Sequence, residues 1–127
     1  MSTKNPYSSK KTWAAALLHA FNGPDDEIEE AFLALYNKHT VFNINGETYS
    51  FEKFLVHVAS VRNILANFKI ESHCFLRDGN MFAEKHTLTA TRKEDGMQVG
   101  AEGYVFGELD GGSRAIWVDE QARTLQL

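Results

Sequence analysis

Glycine-bearing turns in the second half of the chain constrain its fold more than any other feature. Asp78-Gly79, Asp95-Gly96 and Asp110-Gly111-Gly112 separate four segments, about 68–77, 80–93, 97–109 and 113–125. Each segment is rich in Phe, Val, Ile, Thr and Tyr. Tight turns between long strands of that composition imply an antiparallel meander. Gly100, Gly103 and Gly107 interrupt the third of these segments. Glycine inside a strand predicts bulges and strong bending, so a curved sheet is expected.

The first half predicts helices and one strand. Residues 8–22 place Trp13, Ala16, Leu17, Ala20 and Phe21 at helical spacing, with Ser8 or Ser9 as cap. Gly23-Pro24 stops that helix. A second helix follows, with Asp26 and Glu29 at capping-box spacing and Ile28, Ala31, Phe32, Leu35 and Tyr36 on one face. Thr40 to Asn45 alternates as a short strand and ends at the Asn45-Gly46 turn. Ser50 caps a third helix over about 50–67, whose apolar stripe includes Phe54, Leu55, Val58 and Val61. The expected class is therefore α+β: three helices, then a curved, mainly antiparallel sheet. At 127 residues without an internal linker, residues 1–127 suit one domain.

Composition narrows the partners. Nine Phe, four Tyr and two Trp suit a large core or an apolar pocket. The net charge is −4, and basic residues come at most in pairs. Nothing resembles a stripe that would neutralise a phosphate backbone, so no nucleic-acid partner is expected. No apolar run is long enough for a membrane span. Cys74 is the single cysteine, and Met1-Ser2-Thr3-Lys4-Asn5-Pro6 has no apolar leader core. The expectation is a cytoplasmic protein without disulfides, structural zinc or cofactor. Cys74 itself is read as a buried, inert thiol.

The element order, with the segments Val41–Glu47, Phe82–Thr91, Tyr104–Leu109 and Ile116-Trp117-Val118-Asp119, resembles the nuclear-transport-factor-2-like (SnoaL-like) superfamily over nearly the whole chain. The resemblance implies a cone-shaped sheet enclosing an internal pocket, and a homodimer through the sheet. Superfamily members include isomerases, cyclases, hydrolases and non-catalytic proteins, so fold alone does not assign a reaction.

Strand alternation puts Phe82, Glu84, His86, Leu88 and Ala90 on one face. The resemblance points a residue at the position of His86 into the pocket, where a neutral imidazole suits acid–base work. It also implies a pocket acid at Asp119, with Glu120 as the alternative one register step away. Either carboxyl would orient His86 or act as a general acid. Phe42, Ile44, Phe54, Val58, Phe82, Leu88 and Trp117 are expected to form the wall, with His57 at the mouth. Glu102 and Tyr104 share a face of their strand, and which face lines the pocket stays open. The epoxide-hydrolase set departs from this chain, because His86 and Leu88 stand where its Arg and second acid belong. Such a wall suits a small apolar or aromatic molecule held by few polar groups. The first functional reading is a small-molecule-binding protein, an acid–base isomerase or cyclase using His86 and a carboxylate. The alternative is a non-catalytic dimeric binding or interaction module.

Overall fold

The computed structural model describes residues 5–111 and 113–127. Met1–Lys4 of the polar leader and Gly112 of the third glycine turn lie outside the described residues. After a 3-10 turn at Pro6–Ser8, helix α1 spans Lys10–Asn22. Ser9 and Thr12 cap it reciprocally, each side chain accepting from the other's backbone N–H at 3.1 and 3.0 Å. The Gly23 N–H closes the helix on the His19 carbonyl at 2.9 Å. A Cβ at Gly23 would lie 2.7 Å from that oxygen, and Pro24 ends the run.

The next helix is shorter than its pattern predicts. A 3-10 turn at Asp25–Glu27 leads into α2, Ile28–Phe32, and no side chain caps either of them. The expected Asp26–Glu29 capping box does not form. Leu35 and Tyr36 leave the helix because their backbone has long-range partners. The Leu35 carbonyl accepts from the Ala115 N–H at 2.9 Å and from the Tyr7 hydroxyl at 2.8 Å. Tyr36 opens strand β1, Tyr36–Ile44, opposite Ala115. Pairing has overridden a helical period that sequence alone favours.

Asn45 and Gly46 both have positive φ, 51° and 84°, which is hairpin-turn chemistry. They join β1 to a short strand β2, Glu47–Tyr49, that the sequence did not reveal. Ser50 caps α3, Phe51–Ile64, accepting from the Lys53 N–H at 3.2 Å. That helix ends at 64 rather than 67, because Leu65 already has extended backbone and starts β3. Strands β3 (Leu65–Asp78), β4 (Met81–Arg92), β5 (Gln98–Asp110) and β6 (Arg114–Leu125) follow.

The sheet runs in the order β2-β1-β6-β5-β4-β3. The last four strands pair antiparallel as a meander, while β1 joins β6 in parallel. The fold is α+β, a curved open sheet with helices on one face. Helix α1 packs against β3 and α3 against β1. The core lies between helices and sheet and includes Trp13, Leu17, Phe32, Phe42, Phe54, Phe82 and Val105.

Bulges fall between Ala66 and Lys69, between Ser72 and Cys74, between Tyr36 and Val41, and between Glu108 and Leu109. None falls at Gly100 or Gly103, and the β4–β5 register is unbroken throughout. The bulge reading of those glycines is therefore corrected. A Cβ at Gly103 would lie 2.6 Å from the His86 ring, and one at Gly107 would lie 2.5 Å from the Phe82 ring. These two glycines make room for large inward side chains on the neighbouring strand. Cys74 is exposed rather than buried. Among the described residues no helix is long and apolar enough to cross a membrane.

Candidate functional site

Alternation along β4 turns Phe82, Glu84, His86 and Ala90 into the interior, where all four are buried. Burying Glu84 and His86 side by side is costly unless their polar atoms are paired. They are. Glu84 Oε1 lies 2.6 Å from His86 Nδ1, and Glu84 Oε2 accepts from the Ser72 hydroxyl on β3 at 2.8 Å. A carboxylate acceptor at Nδ1 places the ring hydrogen there. In the neutral imidazole, Nε2 is then the basic nitrogen. The Trp13 indole packs on the imidazole with ring centroids 5.3 Å apart. Bare backbone at Gly103 lets the ring lie over β5, with Cε1 and Nε2 against the glycine. That direction leads toward β6, the next strand.

There the imidazole meets a cavity of about 150 Å³. Helix α1 contributes Trp13, Leu17 and Phe21, and β1 contributes Tyr36, Phe42 and Ile44. Helix α3 adds Phe54, His57, Val58 and Val61. Strands β3 to β6 add Phe68, His86, Leu88, Val105, Val118 and Glu120. His57 is the exposed member of this set, so the cavity reaches solvent beside it.

Three residues of this apolar wall carry polar side chains from within the sheet: Tyr36, Glu120 and His86. Burial pushes the Glu120 carboxyl above its ordinary 4.5, His86 pulls it back, and Glu84 pushes it up again. Burial also pushes the Tyr36 hydroxyl up, reinforced by Glu120 and Glu84. The arrangement sets an imidazole, a phenol and a carboxyl around one apolar space.

A larger open hollow of about 480 Å³ lies around Arg62, Lys69 and Lys93. Its Arg62 guanidinium already donates to the Ala20 and Gly23 carbonyls and to Asp25. Arg62 is thus committed to holding the end of α1. Among the described residues there is no group of three His, Cys, Asp or Glu side chains arranged to hold a metal.

Of the residues expected at the pocket, Phe42, Ile44, Phe54, His57, Val58, His86, Leu88 and Glu120 line the cavity. Phe82 does not; it is buried beside it, against Tyr7 and Phe75 at 4.9 and 6.0 Å. Asp119 is corrected outright. It is exposed on the outer sheet face, paired in register with the exposed Phe106. Trp117 faces outward too, its indole N–H donating to Glu108 at 2.9 Å. The two-residue step linking Trp117 to Asp119 holds, but both point away from the pocket. Glu120 pairs with inward Val105 and takes the inner position.

The Glu102 and Tyr104 assignments are likewise corrected. The face they share is the outer one, where the Tyr104 hydroxyl donates to Glu102 at 2.7 Å. The sequence reading missed Tyr36, which it placed in a helix, and Trp13 and Ser72. It put Glu84 on the inward face without giving it a role. A carboxylate two residues from an inward histidine was the available signal.

Replacing Glu120 with Gln is expected to stabilise the fold at pH 7 and to change little at pH 4. The folded carboxyl holds its proton above 4.5, where the unfolded one releases it. Stability therefore falls as pH rises through the window between the unfolded and the raised folded value. The amide removes that loss, a gain on the order of 1 kcal/mol. Thermal melts of both proteins at the two pH values check it, and an equal gain at pH 4 would refute this origin.

No protein-family model matches the chain, and no curated protein does. Solved structures do match. A protein assigned as a SnoaL-like polyketide cyclase from Jannaschia sp. CCS1 superposes with a TM-score of 0.70 at 9% identity, covering 96% of this chain and 91% of that one. A nuclear-transport-factor-2-like protein from Exiguobacterium sp. 255-15 gives 0.69 at 12% identity, covering 86% and 96%. IdmH of Streptomyces antibioticus, assigned as a polyketide cyclase, gives 0.68 at 14%, covering 87% of each chain. At these identities the likeness is one of fold. The chain has the nuclear-transport-factor-2-like, SnoaL-like fold.

Proposed function

We propose that this protein is a small-molecule acid–base enzyme of the isomerase or cyclase type. One observation carries the reading: His86, anchored at Nδ1 by a buried carboxylate, lines an apolar cavity. His86 Nε2 takes a proton from a carbon next to a substrate carbonyl. The developing oxyanion accepts a hydrogen bond from the Tyr36 hydroxyl, and a second from the Glu120 carboxyl in its protonated form, which burial favours. The apolar residues around both groups strengthen those bonds by lowering the local dielectric. Return of the proton to a different carbon isomerises the substrate; attack of the enolate carbon on a second carbonyl closes a ring, and the imidazolium then gives its proton to the new alkoxide. Glu84 stabilises the imidazolium that forms between the two steps, and Ser72 keeps Glu84 in place. The cyclase assignments of two structural neighbours support the same chemistry. The test is hydrogen exchange: cyclohexanone in heavy water should gain deuterium beside its carbonyl faster with protein than in buffer alone. An unchanged rate would sink the reading.

A non-catalytic dimeric module is the second reading, favoured by the outer face. Leu76, Met81 and Phe106 are 64, 45 and 58% exposed there, around the shallow hollow at Ala83. Thr87, Thr89 and Thr91 continue that face half-buried, with Thr87 bonded to His73 at 2.7 Å. An apolar patch on one sheet face suits pairing with a second copy about a two-fold axis. Sedimentation at micromolar concentration should show a dimer, and Phe106→Asp should return a folded monomer. A monomeric parent protein would remove this assembly.

A further inference from the structure

The acid–base reading leaves the substrate open, and the cavity's size, wall and charge narrow it. Ligand pockets for drug-sized molecules run to about 300–1,000 Å³. This one holds about 150 Å³. An apolar cavity of about that volume accommodates a benzene-sized guest. The wall resists expansion. Phe42 and Phe54 stack face to face at 4.1 Å, and Phe32 meets Phe54 edge-on at 5.1 Å. Moving either cavity ring would break contacts on its buried side, so growth by side-chain rotation is opposed.

Charge sets a second limit. His86 is the one cationisable group buried in the wall, and Glu84 already sits against it at 2.6 Å. An anionic guest would have to shed its water and would find no free counter-charge, since Glu84 already pairs with His86. A cationic guest would lie beside His86, which carries positive charge during the reaction. A neutral carbonyl has no charge to desolvate, and the Tyr36 hydroxyl in the wall can donate to its oxygen.

Resting on the acid–base reading, we propose that the substrate is an uncharged, single-ring carbonyl compound. Its carbonyl lies between Tyr36 and Glu120, and its adjacent C–H faces His86 Nε2. Fused-ring ketones are excluded by volume, and carboxylates and ammonium compounds of the same size by charge.

The test uses the full chain and four matched probes at pH 7: cyclohexanone, decalone, cyclohexanecarboxylate and cyclohexylammonium. The readout is the indole N–H signal of Trp13 in the cavity wall, assigned by its persistence in Trp117→Phe. Cyclohexanone should shift that signal saturably, and the other three should bind at least about tenfold more weakly. Equal or tighter binding by decalone or either ion would overturn the proposal, as would no saturable shift with cyclohexanone. The two readings fail separately. Cyclohexanone that binds selectively but gains no deuterium leaves the ligand class standing and sinks the chemistry. Deuteration of decalone as fast as of cyclohexanone sinks the ligand class and leaves the chemistry.

Discussion

His86→Gln is expected to slow deuterium uptake by cyclohexanone about 10²–10⁴-fold while the protein stays folded. That loss corresponds to about 3–5 kcal/mol of transition-state stabilisation. Gln keeps much of the imidazole's bulk, and its amide can still donate toward Glu84, so the buried carboxylate is not stranded. What it lacks is a nitrogen that takes and returns a proton near neutral pH. Two companion variants separate the base from its supports. Glu84→Gln keeps a hydrogen-bonding side chain but removes the charge that stabilises imidazolium, so a smaller loss is expected. Gly103→Ala places a methyl where the His86 ring now lies, 2.6 Å from both Cε1 and Nε2. The ring must turn away from its bed on β5, and the rate should fall with His86 still present. Initial rates by NMR, with circular dichroism as the folding control, decide among these. A His86→Gln rate within about twofold of the parent would assign the chemistry to another group.

The antiparallel half of the fold was legible because its turns are chemically marked. Gly79, Gly96 and Gly111 all have positive φ, and they end strands where Asp-Gly pairs predict. The junction of α2 and β1 was not legible. Leu35 and Tyr36 continue a 3.6-residue period, and only Ala115, far along the chain, holds the Leu35 carbonyl and pairs with Tyr36 to end the helix. A strand as short as β2 leaves no period to detect.

The site was half legible for a related reason. On β4 the polar and apolar residues alternate so that His86 shares a face with Phe82, Leu88 and Ala90, and that face is the buried one. On β6, Ile116, Trp117 and Val118 run together without alternation, so sequence cannot say which of Asp119 and Glu120 points inward. Neighbouring β5 decides it, since Val105 is buried opposite Glu120 and Phe106 is exposed opposite Asp119. Gly103 and Gly107 on β5 illustrate the same limit. A missing side chain reads locally as flexibility, whereas its cause here is a ring on the next strand.

Phe42→Ala is expected to be the most damaging single truncation of the cavity wall, costing about 3–5 kcal/mol. Phe42 is 1% exposed, stacked on Phe54 with ring planes 3° apart and met edge-on by Tyr36 at 4.8 Å. Truncation removes its apolar transfer energy and both ring contacts, each aromatic pair being worth about 0.5–1.5 kcal/mol beyond area. It also leaves a hole that cannot close, because β1 is held between β2 and β6 on either side. The new void opens directly into the existing cavity, so water can enter beside Glu120 and Tyr36. A domain with a total stability of about 5–15 kcal/mol would survive this only narrowly. Urea unfolding should show a lower midpoint with an unchanged slope. Phe106→Ala, on the exposed face, serves as the control and should cost within about 0.5 kcal/mol in the monomer. A Phe42→Ala cost as small as that of the control would mean the ring stack does not hold the wall. The size limit on the ligand, which depends on that stack resisting displacement, would fall with it.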